Sequence, residues 1–144
     1  MQTIIEIQEE ILADFEIFDD WVQKYEYLID LGKDLTPLDK HLKTDDALIK
    51  GCQSRVWLHA EEDNGTIIFS ADSDAIMTKG IVALLIRVLS GQNANDIAHA
   101  DLDFINKIGL KEQLSATRAN GLLSMMKQMK LYALAFQSKN TNAC

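Results

Sequence analysis

The sequence predicts an α+β fold in which several helices pack against one small antiparallel β-sheet. Two β-rich runs, residues 55–60 and 66–71, flank a polar stretch that ends in Asn64 and Gly65. These two residue types readily adopt the positive φ angles of a tight hairpin turn. Apolar residues at helical spacing occupy much of the chain on both sides of this hairpin. Because a lone hairpin is only marginally stable, we expect a third strand, which the sequence does not place.

Two helices are predicted before the hairpin. In residues 3–18, isoleucine, leucine and phenylalanine recur at the spacing of an amphipathic helix. The aspartate pair that follows is suited to cap a second helix ending at Leu31, with Gly32 as a left-handed stop. Residues 33–50 contain the only proline and are predicted to form a long connection, a kind of segment that often has a function.

A central helix is predicted directly after the hairpin. Residues 75–89 are apolar nearly all round, and the Asp-Ser-Asp stretch at 72–74 offers N-cap candidates, with Asp74 mainly in that role. Ser90 and Gly91 end the helix. Lys79 is interpreted as a surface charge.

The remainder of the chain is predicted to be helical. Residues 95–108 form short helical pieces that stop at Gly109, and a long final helix begins at Ser115. The Asn120–Gly121 pair lies inside the periodic pattern of this helix, so we interpret it as helical, with Gly121 allowing a neighbour to approach. The residues predicted to face inward are Leu122, Met125, Met126, Met129, Tyr132 and Phe136.

Length and charge narrow the possible functions. The 144 residues are expected to form one domain, residues 1–144, with a real hydrophobic core. A formal net charge of −8 speaks against a nucleic-acid partner, because such binding relies on Lys and Arg contacts to phosphate. The longest apolar stretch is too short to span a bilayer. The first ten residues, MQTIIEIQEE, are acidic and lack the positively charged and then apolar regions of a signal peptide. We therefore expect a cytoplasmic protein without a membrane partner.

The segment GCQSRVWL, residues 51–58, carries the most informative residue, Cys52. The only other cysteine is Cys144, the last residue, where chains usually fray. A single thiol in the folded body forms no internal disulfide and no cysteine-based metal cage, but it is able to accept a sulfur atom and pass it on. A small buried hydrophobe is the simpler interpretation of a lone cysteine.

Three features favour a reactive thiol. Gly51 permits a sharp turn before the cysteine, the long preceding connection places it at a loop tip, and Lys50 and Arg55 favour the thiolate if either points toward the sulfur. Strand alternation puts Cys52 on the side of Val56 and Leu58, which are expected to face the core. The thiol is then expected at the lip of the core, where a persulfide is shielded from water. On the opposite face we expect Gln53, Arg55, Trp57 and His59.

Three stretches together resemble the SufE family of sulfur-acceptor proteins, and the resemblance covers nearly the whole chain. GCQSRVWL matches the cysteine motif of the family, and DSDAIMTKGIVALLIRVLSG, residues 72–91, matches the acidic cap and the apolar helix after the hairpin. LSATRANGL, residues 114–122, matches the stretch at the start of the last helix. The cysteine motif is the most specific of the three.

The resemblance implies a two-layer α+β fold similar to SufE and IscU-type proteins, and it implies a function. Cys52 accepts persulfide sulfur from a pyridoxal-phosphate-dependent cysteine desulfurase, SufS-like or CsdA-like, raises its turnover, and hands the sulfur to an iron–sulfur scaffold complex. The protein then acts as an accessory carrier without a bound cofactor or metal, because pyridoxal phosphate belongs to the partner. The residues expected to contact the partner or the cysteine loop are Gly51, Arg55, Trp57, Asp74 and Arg118. Simpler roles, as a packed tryptophan or a solvated helix charge, compete for Trp57 and Arg118.

Two other functions are considered. An IscU-like iron–sulfur scaffold usually needs four protein ligands, mostly cysteines, and the folded body contains one cysteine. A cysteine-nucleophile hydrolase needs a base such as His59 beside Cys52, whereas strand alternation points His59 to the other face. The three histidines also lack the spacing of metal ligands. Sulfur transfer is therefore the leading prediction.

Overall fold

The computed structural model describes residues 2–49, 55–114 and 116–142. It contains seven α-helices and three β-strands in these ranges, in the order α1, α2, β1, β2, α3, β3 and α4–α7. The helices are α1 (Ile4–Glu16), α2 (Trp21–Asp34), α3 (Ile76–Leu89), α4 (Ala94–Ala98), α5 (Phe104–Lys107), α6 (Leu110–Gln113) and α7 (Ala116–Asn142). The strands are β1 (Val56–Asp63), β2 (Thr66–Ser73) and β3 (Gln92–Asn93). The predicted α+β class is confirmed.

The sheet is antiparallel with the order β1-β2-β3. The predicted hairpin turn is confirmed, because Asn64 and Gly65 have φ angles of 52° and 86°. The third strand, which the sequence did not place, is the two-residue β3, whose Gln92 pairs with Ile67 of β2. The face of the sheet that packs on the helices carries Val56, Leu58, Ile67, Phe69 and Ala71, all buried.

The first helix begins one residue later than predicted, at Ile4, and ends two residues earlier, at Glu16. Thr3 caps it, since the Thr3 hydroxyl accepts the Glu6 amide and the Glu6 carboxylate accepts the Thr3 amide. The second helix is capped by Asp20, one of the two predicted candidates. Its predicted end is wrong, because α2 continues through Gly32 to Asp34.

Gly32 instead belongs to a close contact between helices. A Cβ atom at Gly32 would lie 2.8 Å from the backbone nitrogen of Gly80 in α3, and a Cβ at Gly80 would lie 2.2 Å from the carbonyl oxygen of Leu28 in α2. The two glycines therefore let the backbones of α2 and α3 approach more closely than any side chain permits. Helical glycines of this kind are selected by packing rather than by helix termination.

The central helix α3 covers the inner face of the sheet and supports α1 and α2 on its other side. Eight of its residues are buried, which confirms the predicted central position. The predicted N-cap is wrong, since the N-cap residue is Ala75 and makes no side-chain capping bond. Asp72 and Ser73 belong to β2. Arg87 near the end of α3 donates to Tyr27 of α2 at 3.0 Å and pairs with Glu10 and Asp14 of α1.

The C-terminal third consists of the predicted short helices and the long helix α7. Gly109, with a φ of 76°, separates α5 from α6. α7 packs on α4 and α3, and it contains Gly121, so the helical interpretation of that pair is confirmed. Of the predicted inward-facing residues, Leu122, Met125 and Met129 are buried, and the other three pack against the core. Within the described ranges, no helix combines the length and the apolar content needed to cross a membrane.

Candidate functional site

A strap formed by residues 35–49 leads from α2 to the cysteine motif. It contains two 3-10 turns, Lys40–Leu42 and Asp45–Ala47, and its buried anchors are Leu38 and Ile49. The end of the strap pairs with the start of β1. Leu48 forms an antiparallel bridge with Trp57, and the Ile49 amide donates to the Val56 carbonyl at 2.8 Å.

Arg55, the first residue of the cysteine motif that the structure describes, is held through its backbone. Its amide donates to the Asp74 carboxylate at 3.0 Å, and its carbonyl accepts from the Ser73 hydroxyl at 2.8 Å and from the Asp74 amide at 3.3 Å. Asp74 therefore anchors the residue that follows the motif's serine, whereas the sequence predicted that it caps α3. Among the described residues, Asp74 contacts Arg55, and its predicted contact with the partner or the cysteine loop stays a prediction.

Cys52 and Gly51 lie outside the described residues, so the predicted position of the thiol at the lip of the core stays a prediction. Their described neighbours in sequence are Ile49 and Arg55. The backbone hydrogen bond from Ile49 to Val56 joins the two ends of the segment that contains Cys52. The described residues on either side of this segment are therefore held together at the start of β1.

The predicted alternation along β1 is confirmed for the residues that follow Arg55. Val56 and Leu58 are each 1% exposed and face the helices, whereas Trp57 and His59 are half-buried on the outer face. The His59 ring lies 2.9 Å from the Glu61 carboxylate on the same face. This contact with Glu61 gives His59 a partner on its own strand.

A buried carboxylate, Asp72, holds the strap to the sheet. Asp72 lies opposite Trp57 in the β1–β2 register, and its side chain is 6% exposed. One carboxylate oxygen pairs with Lys43 of the strap at 3.1 Å and accepts the Leu38 amide at 3.3 Å. The other accepts the Ser73 amide at 2.8 Å and lies 3.4 Å from the Lys79 ammonium.

These contacts decide the ionisation of Asp72. Burial acts to raise its pKa, but the hydrogen bonds from Ser73, Lys43 and Leu38, together with the charge of Lys79, outweigh burial. The pKa of Asp72 therefore lies below its ordinary value, and the carboxylate stays charged at neutral pH. Both carboxylate oxygens of Asp72 are occupied by lysines and backbone amides. We therefore interpret Asp72 as a structural residue that links the strap to the sheet.

Lys43 and Lys79 connect Asp72 to two other parts of the structure. The Lys43 ammonium lies 5.1 Å from the ring centre of Trp57, so the strap also touches the outer face of β1. Lys79 connects Asp72 to the first turns of α3, which corrects its interpretation as a surface charge. Trp57, predicted to contact the partner or the loop, thus has a packing partner within this chain. The role of Lys43 was not predictable from local patterns, because its partner Asp72 lies 29 residues later in the sequence.

Arg118, the remaining described residue expected at the site, lies at the surface. Arg118 is exposed in the first turn of α7, on a different element from Arg55, Trp57 and Asp74. Ile76, the first residue of α3, was not predicted at the site; it is 68% exposed and lies two positions after Asp74. Within residues 2–49, 55–114 and 116–142, no group of three or more His, Cys, Asp or Glu side chains is arranged to hold a metal ion.

Comparison with known proteins agrees with this architecture and with the cysteine motif. A family model described as SufE, an Fe-S metabolism associated domain, matches residues 9–133, which include the strap, the motif and most of α7. The chain belongs to the SufE family. The resemblance noted in the three sequence stretches is thereby confirmed, and this SufE protein is associated with iron–sulfur metabolism.

Named relatives share much of the chain. "SufE-like protein 1, chloroplastic/mitochondrial" of Arabidopsis thaliana is 42% identical over 91% of this chain, but the match spans only 36% of that longer protein. "Uncharacterized SufE-like protein R01000" of Rhizobium meliloti is 40% identical, with 85% of this chain and 91% of the relative covered. A SufE-like protein of Synechocystis, slr1419, is 37% identical over 88% of this chain and 80% of its own length.

A solved structure shares the fold of this SufE protein. The solution structure of a hypothetical protein from Thermus thermophilus superimposes with a TM-score of 0.76, covering 92% of this chain and 96% of that one. The two sequences are 16% identical, so this likeness concerns the fold alone.

Proposed function

We propose that this SufE protein accepts sulfur from a pyridoxal-phosphate-dependent cysteine desulfurase on Cys52 and activates that enzyme. The observation that carries the proposal is the match of the SufE model across the cysteine motif, in a chain with a single cysteine besides Cys144. The sulfur is then passed to an iron–sulfur scaffold complex. The protein is a carrier in this scheme and needs no cofactor of its own, because the pyridoxal phosphate acts in the desulfurase.

The transfer step is a thiol–persulfide exchange. The thiolate of Cys52 attacks the outer sulfur of the persulfide on the desulfurase cysteine. A new S–S bond forms at Cys52 Sγ, the S–S bond of the desulfurase breaks, and its electron pair leaves on the desulfurase thiolate. No oxidant or reductant is required. Because the exchange restores the free cysteine of the desulfurase, it prepares that enzyme for another turnover.

The anchors around the motif support this role. Cys52 lies three positions from Ile49 and three from Arg55 in the sequence. Both ends are fixed, through the Ile49–Val56 hydrogen bond and through the contacts of Asp74 with Arg55. Anchored residues on both sides of the cysteine give a desulfurase a defined surface on which to dock, which favours transfer within the complex.

The surface beside the motif suits a protein partner. Arg55, Asp74 and Ile76 are exposed, and Arg55 and Asp74 are joined by hydrogen bonds. We assign Arg55 and Ile76 to contact with the desulfurase, and Asp74 to the orientation of Arg55. Gly51 and Arg118 are proposed to act at the cysteine loop, and Trp57 is proposed to hold the strap that precedes it.

We place this activity in the cytoplasm. The chain has two cysteines, which suits a reducing compartment. The name of the Arabidopsis relative assigns that protein to chloroplasts and mitochondria, so compartments differ among SufE-like proteins. Fractionation of cells that produce the tagged protein tests the placement, and recovery outside the cytoplasmic fraction contradicts it.

The proposal is tested by desulfurase kinetics. Alanine release from free cysteine is measured with a cysteine desulfurase alone and with the wild-type protein, Cys52→Ser or Cys144→Ser. We expect stimulation by the wild type, none by Cys52→Ser and nearly full stimulation by Cys144→Ser. Circular dichroism checks that both variants fold. A larger loss from Cys144→Ser than from Cys52→Ser shows that the assignment is wrong.

A further inference from the structure

The solvent-facing side of α7 carries a leucine stripe, formed by Leu123, Leu131 and Leu134. They are 42%, 46% and 47% exposed. At 3.6 residues per turn, the three lie within about 80° of one another around the helix. The core-facing residues Leu122 and Met129 lie on the opposite side and are buried. The stripe is therefore a separate apolar surface, and a cluster of exposed leucines is typical of an interaction site.

Two grooves meet on this stripe. One runs between α7 and α4 and contains Leu123 and Leu134 together with Met126 and Lys130. The other has a volume of about 340 Å³ and lies between α7 and the end of the strap, residues 46–49. Lys127 and Leu131 line both grooves. The leucine stripe is thus continuous with the anchor from which the cysteine segment departs.

The charges beside the stripe argue against a second copy of this chain as its occupant. An antiparallel α7 pair centred on the stripe brings Lys127 of one copy opposite Lys130 of the other, and like charges that face each other are unfavourable. Each copy also has a formal charge of −8. A partner that offers apolar side chains to the leucines and a carboxylate to Lys127 complements both the apolar surface of the stripe and the positive charge beside it.

We infer that the leucine stripe is a second docking surface for the cysteine desulfurase that delivers sulfur to Cys52, an inference that rests on the proposed function. A standard protein interface covers about 800 Å² on each partner, whereas the cysteine segment between Ile49 and Arg55 has only five residues. A docked desulfurase must therefore cover adjoining surface as well. The adjoining groove leads to Leu131, and the stripe extends about 16 Å along α7.

The test is the affinity of the desulfurase for the protein and its variants, measured by isothermal titration calorimetry. In Leu131→Gln/Leu134→Gln, glutamine keeps the helix propensity and removes the apolar contact. We expect the Kd to rise at least tenfold, equivalent to about 1.4 kcal/mol. Lys127→Glu raises the Kd as well, and Lys127→Arg leaves it near the wild-type value. At saturating concentrations of the double variant, Cys52 still gains sulfur at a rate within twofold of wild type.

The control is Ile5→Gln, which replaces an aliphatic side chain that is 69% exposed on α1, away from both grooves, and leaves the Kd unchanged. An unchanged Kd for the double variant, with sulfur transfer to the wild type intact, overturns the docking surface and leaves the acceptor role in place. A wild-type dimer in analytical ultracentrifugation that the double variant loses also overturns it, because the stripe is then a self-interface. Absence of sulfur on wild-type Cys52 overturns the proposed function and the docking inference together.

Discussion

Replacing Asp72 by asparagine removes the charge that ties the strap to the sheet while keeping the shape of the side chain. In the wild type this carboxylate receives Lys43, Lys79 and the amides of Leu38 and Ser73. Asparagine retains one acceptor oxygen, so part of the hydrogen bonding survives. Both ion pairs are lost, and an amide donor is brought toward Lys43 or Lys79.

The expected destabilisation follows from the burial of the three charged groups. Removing one partner of a fully buried ion pair costs about 3–5 kcal/mol. Here Asp72 is 6% exposed, but the side chains of Lys43 and Lys79 are 31% and 26% exposed. Water therefore solvates part of each lysine charge after the carboxylate is lost. We therefore expect the free energy of unfolding to fall by about 2 kcal/mol. For a chain of this length, that corresponds to a melting temperature lower by about 6 °C.

The pH dependence has a defined sign. Because the pKa of Asp72 is lowered in the folded protein, its contribution to stability is fully present above the ordinary aspartate pKa of about 3.9. The contribution is lost as the pH falls through the folded pKa. The difference in unfolding free energy between wild type and Asp72→Asn should therefore be constant from pH 8 to about pH 5 and shrink below about pH 4.

Urea unfolding, followed by circular dichroism at several pH values, measures this difference without adding salt. Asp45→Asn is the matched control, since Asp45 is an exposed residue of the same strap, and its effect should be within about 0.5 kcal/mol. A loss below about 0.5 kcal/mol for Asp72→Asn at pH 7 refutes the reasoning. So does a difference that persists unchanged at about pH 3, because the stabilising charge then lies elsewhere.

Two further predictions concern the backbone contacts around the site. Gly80→Ala should destabilise the protein by about 3 kcal/mol, because the added Cβ would lie 2.2 Å from the Leu28 carbonyl oxygen. Thermal melting measures this loss of stability. A melting temperature equal to that of the wild type contradicts the close approach of α2 and α3. Asp74→Ala should speed hydrogen exchange at the Arg55 amide about tenfold and lower global stability by no more than about 1 kcal/mol. Asp74→Asn, which keeps the acceptor oxygen, should exchange at nearly the wild-type rate, and equal exchange in the alanine variant argues against the anchor.

Local patterns were sufficient to predict most of the fold. The hairpin was predictable because Asn64 and Gly65 fit a turn with two positive φ angles. The helices were predictable because their apolar residues recur at helical spacing over more than ten residues in α1, α3 and α7. Strand β3 was not, since two residues carry no periodicity and depend on pairing with β2.

The errors have a common physical origin in contacts between distant residues. Gly32 suits a helix end by local rules, yet its role is decided by Gly80, which lies in another helix. Asp72 suits an N-cap, yet its partner Lys43 lies 29 residues earlier and makes it a buried strand residue. The cysteine motif itself was recognisable because its chemistry needs one residue, whereas the strap that supports it is defined by tertiary contacts.

Mass spectrometry of the intact protein, after incubation with a cysteine desulfurase, pyridoxal phosphate and free cysteine, tests the acceptor role of Cys52 most directly. We predict the gain of one sulfur atom, mapped to Cys52 by peptide analysis and absent from Cys52→Ser. An unmodified wild-type protein that still speeds the desulfurase contradicts the acceptor role and makes the protein an allosteric activator. Sulfur found on Cys144 alone contradicts the assignment of Cys52.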